Sequence, residues 1–156
     1  SKKREGSRKM FEIKKFNDLT VNEMYEIAKS RFEVFVCEQK IVEEQDFDDK
    51  DKVCHHIMLK ENDKVVAYCR IVPKEIGYDY TSIGRVLVLS SYRRKGIAQE
   101  MIKVALDFIK NNLNENIVVL SGQLYAKGLY ESVGFNVISD VYDEVNIPHV
   151  KMKVEL

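Results

Sequence analysis

The sequence has only two prolines, no tryptophan and no glycine- or serine-rich linker in its 156 residues. Nothing in this composition divides the chain, so we expect one domain spanning residues 10–156. A chain of this length buries about two-thirds of its unfolded surface, enough to fold without disulfides or a structural metal. Residues 1–9 are basic and lack apolar periodicity, and we expect them to be a disordered arm or a cloning remnant.

Three further features of the composition exclude classes of protein. The cysteines Cys37, Cys54 and Cys69 include no C-x-x-C pair, so we expect buried, reduced thiols and a cytoplasmic location. No apolar run approaches the ~18 residues of a membrane-spanning helix. The 25 basic residues equal the 25 acidic residues, so no overall field attracts nucleic acid or a membrane surface. Any recognition of charge must therefore be local.

Hydrophobic periodicity predicts a mixed α/β chain in the order β-α-(α)-β-β-β-α-β-α-β-β. Thr20 and Glu23 form a capping box that begins the first helix. The apolar stripe of that helix comprises Met24, Ile27, Ala28, Phe32 and Phe35. Strands are predicted near residues 11–13 and at 57–60, 65–72, 81–89, 117–120, 135–142 and 149–155, with a hairpin turn at 61–64 and later helices at 94–110 and 123–133.

The most informative segment is an apolar strand that runs through a short basic turn into a helix. The first N–H groups of a helix have no internal partner and carry partial positive charge, so they attract an anion. Gly96 lacks a Cβ that would block close approach, and Ala98 is nearly as small. Arg93, Arg94 and Lys95 add full charges at the rim. This pattern predicts a diphosphate cradle made of backbone N–H groups.

Two better-known phosphate motifs, G-x-x-x-x-G-K-[ST] and G-x-G-x-x-G, do not occur in the sequence. A solvated basic helix start is the alternative interpretation of the same turn. Spacing alone does not decide between the two.

Two motifs resemble signatures of the GNAT superfamily of acetyltransferases. The turn Arg93-x-x-Gly96-x-Ala98 resembles the family's [QR]-x-x-G-x-[GA] signature, although Ala98 replaces a commoner glycine. A second signature, a helix that ends in tyrosine and is followed by Gly-Phe, is matched by Gln123-x-x-Ala126-x-x-Leu129-Tyr130-x-x-x-Gly134-Phe135. Many relatives have asparagine in place of Gln123. The two motifs span about half of the chain in the expected order.

A narrower resemblance, to the ElaA-like branch of that superfamily, covers nearly everything from Met10 onward. The matching segments are Arg31-Phe32-Glu33-Val34-Phe35-Val36 with Glu38-Gln39, then Asp46, Asp49 and His55, the triplet Gly84-Arg85-Val86, and the tail Tyr142-x-Glu144-x-x-Ile147-Pro148-His149-x-x-Met152.

The resemblance implies a GNAT-like α/β fold: a mostly antiparallel, twisted sheet of about seven strands, with helices on both faces and a splayed central strand pair. It implies acetyl-CoA as co-substrate, direct transfer of the acetyl group to the primary amine of a small molecule or peptide, and no metal. A homodimer is compatible with it. A non-catalytic, CoA-binding regulatory module on the same fold is the alternative, and a domain that binds no cofactor is another.

The resemblance also assigns residues to the cofactor. The backbone N–H of Val88 is expected to face the thioester oxygen, where one donor in a dry site lowers the barrier by roughly 3 kcal/mol. The residues expected to bind CoA are Leu87, Val88, Arg93, Arg94, Lys95, Gly96, Ile97, Ala98, Gln123 and Ala126.

Two catalytic roles are predicted. Tyr130 is expected to protonate the departing thiolate, because a phenol with a reference pKa near 10 carries its proton at neutral pH; Tyr125 is its competitor. Glu38 is the first candidate for the base that deprotonates the amine, since it lies at the end of the first helix. Glu44, Asp46 and His149 are the alternatives to Glu38.

The acidic run at residues 43–51 is predicted either to attract a cationic acceptor or to be a solvated loop. Arg31 and Arg85 are expected to form internal ion pairs or to bind an acidic group of the acceptor. Cys54, His55 and His56 are adjacent, but neighbouring side chains on a strand point to opposite faces, and no other Cys/His pair lies at ligand spacing. His55 is therefore predicted to be a structural or acceptor-site residue, and no metal site is expected.

Overall fold

The computed structural model describes residues 10–156, so the expectation for residues 1–9 lies outside the described part. Eight strands form one sheet in the order β1-β2-β3-β4-β5-β8-β6, with β7 also paired to β8. The predicted mixed α/β architecture is confirmed. The strands are β1 Glu12–Lys15, β2 His55–Glu61, β3 Lys64–Val72, β4 Thr81–Val88, β5 Ile117–Gln123, β6 Asn136–Val137, β7 Tyr142–Glu144 and β8 Ile147–Glu155. The α-helices are α1 Val21–Arg31, α2 Ile97–Asn112 and α3 Lys127–Glu131.

Helix α1 begins as predicted. The Thr20 side chain accepts from the Glu23 N–H, and the Glu23 carboxylate accepts from the Thr20 N–H, which completes the capping box. The chain then continues as a π-helix over Phe32–Glu38. Its wider turn ends the regular helical period, so Phe32, predicted in the buried stripe, is instead 56% exposed.

Helices cover both faces of the sheet. The Arg31 guanidinium at the end of α1 lies over the Tyr68 ring, and we name that side of the sheet the α1 face. On the other side, Phe108 of α2 packs against His55, and we name that side the α2 face. The predicted β2–β3 hairpin is confirmed, with Asn62 and Asp63 both at positive φ in its turn.

The sheet splits between β4 and β5. Within residues 10–156 these two strands form the one parallel pair, and their pairing covers only Thr81 with Val118 and Ser82 with Val119. Beyond this short pairing, β4 carries a β-bulge opposite β3. Gly84 pairs with Arg70 and Leu87 pairs with Tyr68, so β4 advances by three residues where β3 advances by two. A bulge bends its strand and increases the local twist. The strands therefore diverge, as the predicted splay requires.

Three predicted boundaries were wrong. The helix expected at 94–110 begins only at Ile97, because Arg94 and Gly96 have φ values of 62° and 76°, outside the helical region. The helix expected at 123–133 is limited to α3, because Gln123 still pairs with His149 as the last residue of β5.

The strand expected at 135–142 is two short strands, β6 and β7. The Lys151 N–H donates to the Ser139 hydroxyl at 2.9 Å, so a side chain takes the place of a backbone acceptor and the ladder is interrupted there.

Two of the three cysteines, Cys54 and Cys69, are buried as predicted, but Cys37 is exposed because it lies on the outer side of the π-helical turn. All three are free thiols. In the described range, no helix is long and apolar enough to cross a membrane, and no group of three or more potential ligands could hold a metal ion.

Candidate active site

A cavity of about 910 Å³ occupies the split between β4 and β5. It reaches from the start of α2 on one side of the sheet to the hairpin of β7 and β8 on the other. The predicted site residues that line it are Leu87, Val88, Arg93, Arg94, Gly96, Ile97, Ala98, Gln123, Ala126 and Tyr130. Lys95 and Glu38 were predicted in the site but are not among its lining residues. The structure thus brings two distant motifs to one cavity.

The turn before α2 presents unpaired backbone donors to this cavity. Arg94 and Gly96 are both in the left-handed region, a backbone shape that gathers N–H groups into a concave surface. Among residues 10–156 no side chain caps α2, and the first internal bond of the helix runs from the Glu100 N–H to the Gly96 carbonyl at 3.1 Å. The N–H groups of Ile97 and Ala98 therefore have no partner in the helix. Such a surface suits an anion.

The backbone of Val88 points into the split. The neighbouring Leu89 N–H donates to the Val66 carbonyl of β3 at 2.9 Å. Because backbone groups alternate between the two edges of a strand, the Val88 N–H and carbonyl face away from β3. The Val88 carbonyl accepts from the Arg93 Nε at 2.8 Å on that side. The Val88 N–H thus lies at the open edge of β4, facing the cavity.

The end of the π-helix joins both sides of the split. The Glu38 carboxylate lies 3.0 Å from an Arg93 nitrogen on the β4 side. The adjacent Gln39 accepts a hydrogen bond from Gln123, on the β5 side, at 2.9 Å. Glu38, the first candidate for the base, therefore forms an ion pair with a residue of the basic turn.

Tyr130 projects from α3 toward the same cavity and is 6% exposed. Its ring packs edge-on against Phe135, with ring centroids 6.0 Å apart. A Cβ on Gly122 would lie 3.1 Å from the Tyr130 ring, so the glycine leaves room for it. Burial raises the pKa of Tyr130, which keeps its hydroxyl protonated at neutral pH. Its competitor Tyr125 also lines the cavity but is 79% exposed.

The acidic loop is held to the sheet by buried arginines. Arg31, with no exposed surface, binds Asp51 at 2.7 Å and Asp46 at 2.9 Å. Arg70 binds Asp48 at 2.7 Å and Asp51 at 2.9 Å. These contacts make the loop a fixed wall of the cavity and place Arg31 in internal ion pairs, one of the two roles expected for it.

Arg85, the bulged residue of β4, has the same structural role. Its Nε donates to the Asp46 carboxylate at 3.1 Å, and its φ is 52°. The sequence analysis did not anticipate His56, which is buried between the Tyr68 hydroxyl at 2.6 Å and the Asp51 carbonyl at 2.9 Å. His55 packs against Phe108 on the α2 face, as a structural residue.

The arginines keep the carboxyls of Asp48 and Asp51 ionised. The hydrogen bond from Arg70 holds the pKa of Asp48 below its ordinary value. Burial would raise the pKa of Asp51, but the hydrogen bonds and charges of Arg31 and Arg70 outweigh it and lower that pKa. Much of the negative charge in the run at 43–51 is therefore neutralised inside the protein.

The hairpin of β7 and β8 supplies the opposite wall. His149 is buried, stacks on the Tyr142 ring with centroids 6.1 Å apart, and has its Nδ1 2.7 Å from the Ile147 carbonyl. Its Nε2 is 3.7 Å from the Glu144 carboxylate. Ser121 of β5 donates to Glu144 at 3.1 Å. The sequence analysis included His149, named Glu144 only as part of the tail motif, and missed Ser121. Alternation along β5, which puts Ser121 on the same face as Gln123, was the signal that could have found Ser121.

Comparisons with known proteins place the chain in a family. A family model described as an acetyltransferase (GNAT) domain matches residues 14–156. A UPF0039 protein of Schizosaccharomyces pombe is 42% identical over 148 residues, covering 94% of this chain and 97% of the relative.

Two solved structures are similar in both fold and sequence. The crystal structure of Escherichia coli ElaA has a TM-score of 0.84 and 30% identity over 94% of this chain and 99% of its own. That of an acyl-CoA N-acyltransferase from Pseudomonas aeruginosa has a TM-score of 0.85 and 31% identity, covering 93% of this chain and 99% of its own. This chain therefore belongs to the GNAT acetyltransferase domain family, in its ElaA-like branch.

Proposed function

We propose that this protein transfers an acetyl group from acetyl-CoA directly to the primary amine of a small molecule or peptide. The divergence of β4 from β5 carries the proposal. It leaves the Val88 N–H at an open strand edge, in a cavity that begins at the uncapped, basic start of α2. An extended, amide-containing arm with a diphosphate at one end fits both features.

The residues present suit such a co-substrate. The N–H groups of Ile97 and Ala98, with the Arg94 side chain, are positioned to hold a diphosphate. Gly96, at φ 76°, allows the turn that aims those groups. The edge of β4 at Leu87 and Val88 offers backbone partners to the arm. Acetyl-CoA supplies the acyl group as an activated thioester.

Two groups of this chain act on the reacting atoms. The Val88 N–H is positioned to donate to the thioester oxygen, and one such donor contributes roughly 3 kcal/mol to lowering the barrier. The protonated Tyr130 hydroxyl is positioned to give its proton to the departing sulfur. Glu38 stays a predicted base, although Arg93 engages its carboxylate.

Acetyl-CoA binding is the first test. A ligand that binds only the folded protein stabilises it by about 2.7 kcal/mol at a hundred times its Kd. We expect acetyl-CoA to raise the melting temperature and Arg94→Gln to weaken that effect about tenfold in Kd. Lys103→Gln removes an exposed charge from the middle of α2 and serves as the matched control.

Thiol release in the presence of an amine panel is the second test. Release of CoA that depends on the amine supports the enzyme. Binding of acetyl-CoA without release across the panel supports the non-catalytic, CoA-binding module. Absence of any stabilisation by acetyl-CoA overturns the proposal.

A further inference from the structure

The β7–β8 hairpin holds a histidine and a glutamate whose free atoms point at the same space. His149 is 4% exposed and lines the cavity. Its Nδ1 faces the Ile147 carbonyl at 2.7 Å, and because a carbonyl only accepts, Nδ1 carries the proton. In the neutral ring, Nε2 therefore has a free lone pair. Glu144 Oε2 is 3.7 Å from this nitrogen, beyond hydrogen-bonding distance.

Glu144 is oriented by a chain of hydroxyl groups. Ser121 donates to Glu144 Oε1 at 3.1 Å, so its oxygen is left to accept from the Tyr142 hydroxyl. These hydrogen bonds occupy Oε1 of Glu144 and leave Oε2 beside His149. Glu144 Oε2 and His149 Nε2 therefore face one another as two acceptors. An ammonium group, which has three donors and no acceptor, is the complement of that arrangement.

The pair lies on the face of the sheet opposite Tyr130. On β5, the Tyr130 ring covers Gly122, and α3 is joined to the α2 face through the Gln99–Ser132 hydrogen bond. Successive residues of a strand point to opposite faces, so the adjacent Gln123 projects from the α1 face, as does His149, its cross-strand partner. An amine at His149 and a thioester sulfur near Tyr130 would approach through the split from opposite sides.

We propose that Glu144 and His149 form the acceptor subsite, in which Glu144 binds the substrate ammonium and His149, rather than Glu38, is the base that deprotonates it. The assignment rests on the proposed acetyltransferase function. Asp46, Asp48 and Asp51 of the acidic loop are already paired with arginines. The proposal therefore assigns the attraction of a cationic acceptor to Glu144 on the hairpin instead of to that loop.

The proton balance closes with these groups. The ammonium gives one proton to His149 Nε2, which passes it to solvent beside Glu144, a side chain that is 44% exposed. The neutral nitrogen forms the C–N bond as the C–S bond breaks. Its second proton replaces the one that Tyr130 gives to sulfur. The products are the amide, CoA thiol and one proton released to water.

The test uses the full chain with butylamine and 1,4-diaminobutane as acceptors. His149→Asn keeps a donor for the Ile147 carbonyl but removes the base, and we expect kcat to fall about 100-fold or more. Glu144→Gln keeps the size of the side chain, and we expect the amine KM to rise about tenfold. Asp143→Asn removes the same charge from the adjacent residue on the other side of β7 and is the matched control.

Three further measurements make the result decisive. Imidazole in solution should restore part of the rate of His149→Ala, which a purely structural role would not allow. The acetyl-CoA Kd should be unchanged in each hairpin variant. Glu38→Gln should retain far more of kcat than His149→Asn.

If His149→Asn and Glu144→Gln match Asp143→Asn in kcat and KM while the wild type is active, the subsite is wrong and the enzyme assignment stands. If Glu38→Gln abolishes turnover and His149→Asn does not, the base is Glu38 and the assignment of His149 fails. If the wild type neither binds acetyl-CoA nor releases thiol, the proposed function fails first.

Discussion

The buried Glu23 carboxylate should control the acid stability of the protein. Burial alone would raise its pKa. Hydrogen bonds from Lys14 and Lys60, both at 2.8 Å, and from one backbone N–H outweigh burial and lower the pKa from 4.5 to about 2. One pKa unit corresponds to about 1.4 kcal/mol, so the ionised carboxylate stabilises the fold by roughly 3 kcal/mol. We expect Glu23→Gln to lose that amount at neutral pH, while glutamine still accepts from the Thr20 N–H.

The pH dependence has a definite sign. A carboxyl whose pKa is lowered by folding stabilises the protein above the pKa of the unfolded chain, and the effect is lost as the pH falls through the folded value. For Glu23 the window runs from about pH 4.5 to about pH 2. At pH 3, more than half of the difference between wild type and Glu23→Gln should be gone.

Urea unfolding at pH 7, 5 and 3 measures this difference directly. Glu26→Gln, on the same helix and in no ion pair within residues 10–156, controls for the loss of a helical charge. A difference between wild type and Glu23→Gln that is as large at pH 3 as at pH 7 would refute the electrostatic reasoning. Since Glu23 does not line the cavity, acetyl-CoA affinity should be unchanged at neutral pH.

Three other variants probe the site and its support. Tyr130→Phe should lower kcat about 100-fold with little change in acetyl-CoA affinity, because in the proposed mechanism the hydroxyl acts only as the sulfur departs. Steady-state thiol release measures kcat, and a binding titration measures the affinity. Gly122→Ala should also lower kcat, because its Cβ would lie 3.1 Å from both the Leu120 side chain and the Tyr130 ring and displace that ring; unchanged kinetics would contradict the role of that contact. Asp51→Asn removes the carboxylate that two buried arginines, Arg31 and Arg70, share and should cost about 3–5 kcal/mol in urea unfolding, whereas the exposed Asp49→Asn should cost little.

Local features of the fold could be predicted from sequence. The capping box at Thr20 and the strand–turn–helix around Gly96 depend on residues within a few positions of one another, and the structure has both. The exact start of α2 could not be predicted. The left-handed conformations of Arg94 and Gly96 move the start of α2 to Ile97, and an arginine in the sequence does not predict such a conformation.

Features that depend on distant contacts were beyond the sequence pattern. The exposure of Phe32 follows from a π-helical segment whose period differs from that of an α-helix. The roles of Arg31 and Arg85 follow from carboxylates that lie more than a dozen residues away. Apolar periodicity does not predict which arginine forms an ion pair with which aspartate.

The two walls of the cavity also differ in how far each can be predicted from local sequence. The wall beside α2 is made largely of backbone groups within one short turn, so the motif around Gly96, together with its resemblance to the GNAT signature, predicts the class of ligand. The wall on the α1 face is made of side chains from separate segments, with Ser121 from β5 and Glu144 and His149 from the hairpin. Their spacing has meaning only after strand pairing has brought them together. The local motifs therefore predict the class of activity. The choice of acceptor depends on side chains that only the tertiary fold brings together, and variants of the hairpin are the direct way to identify the acceptor.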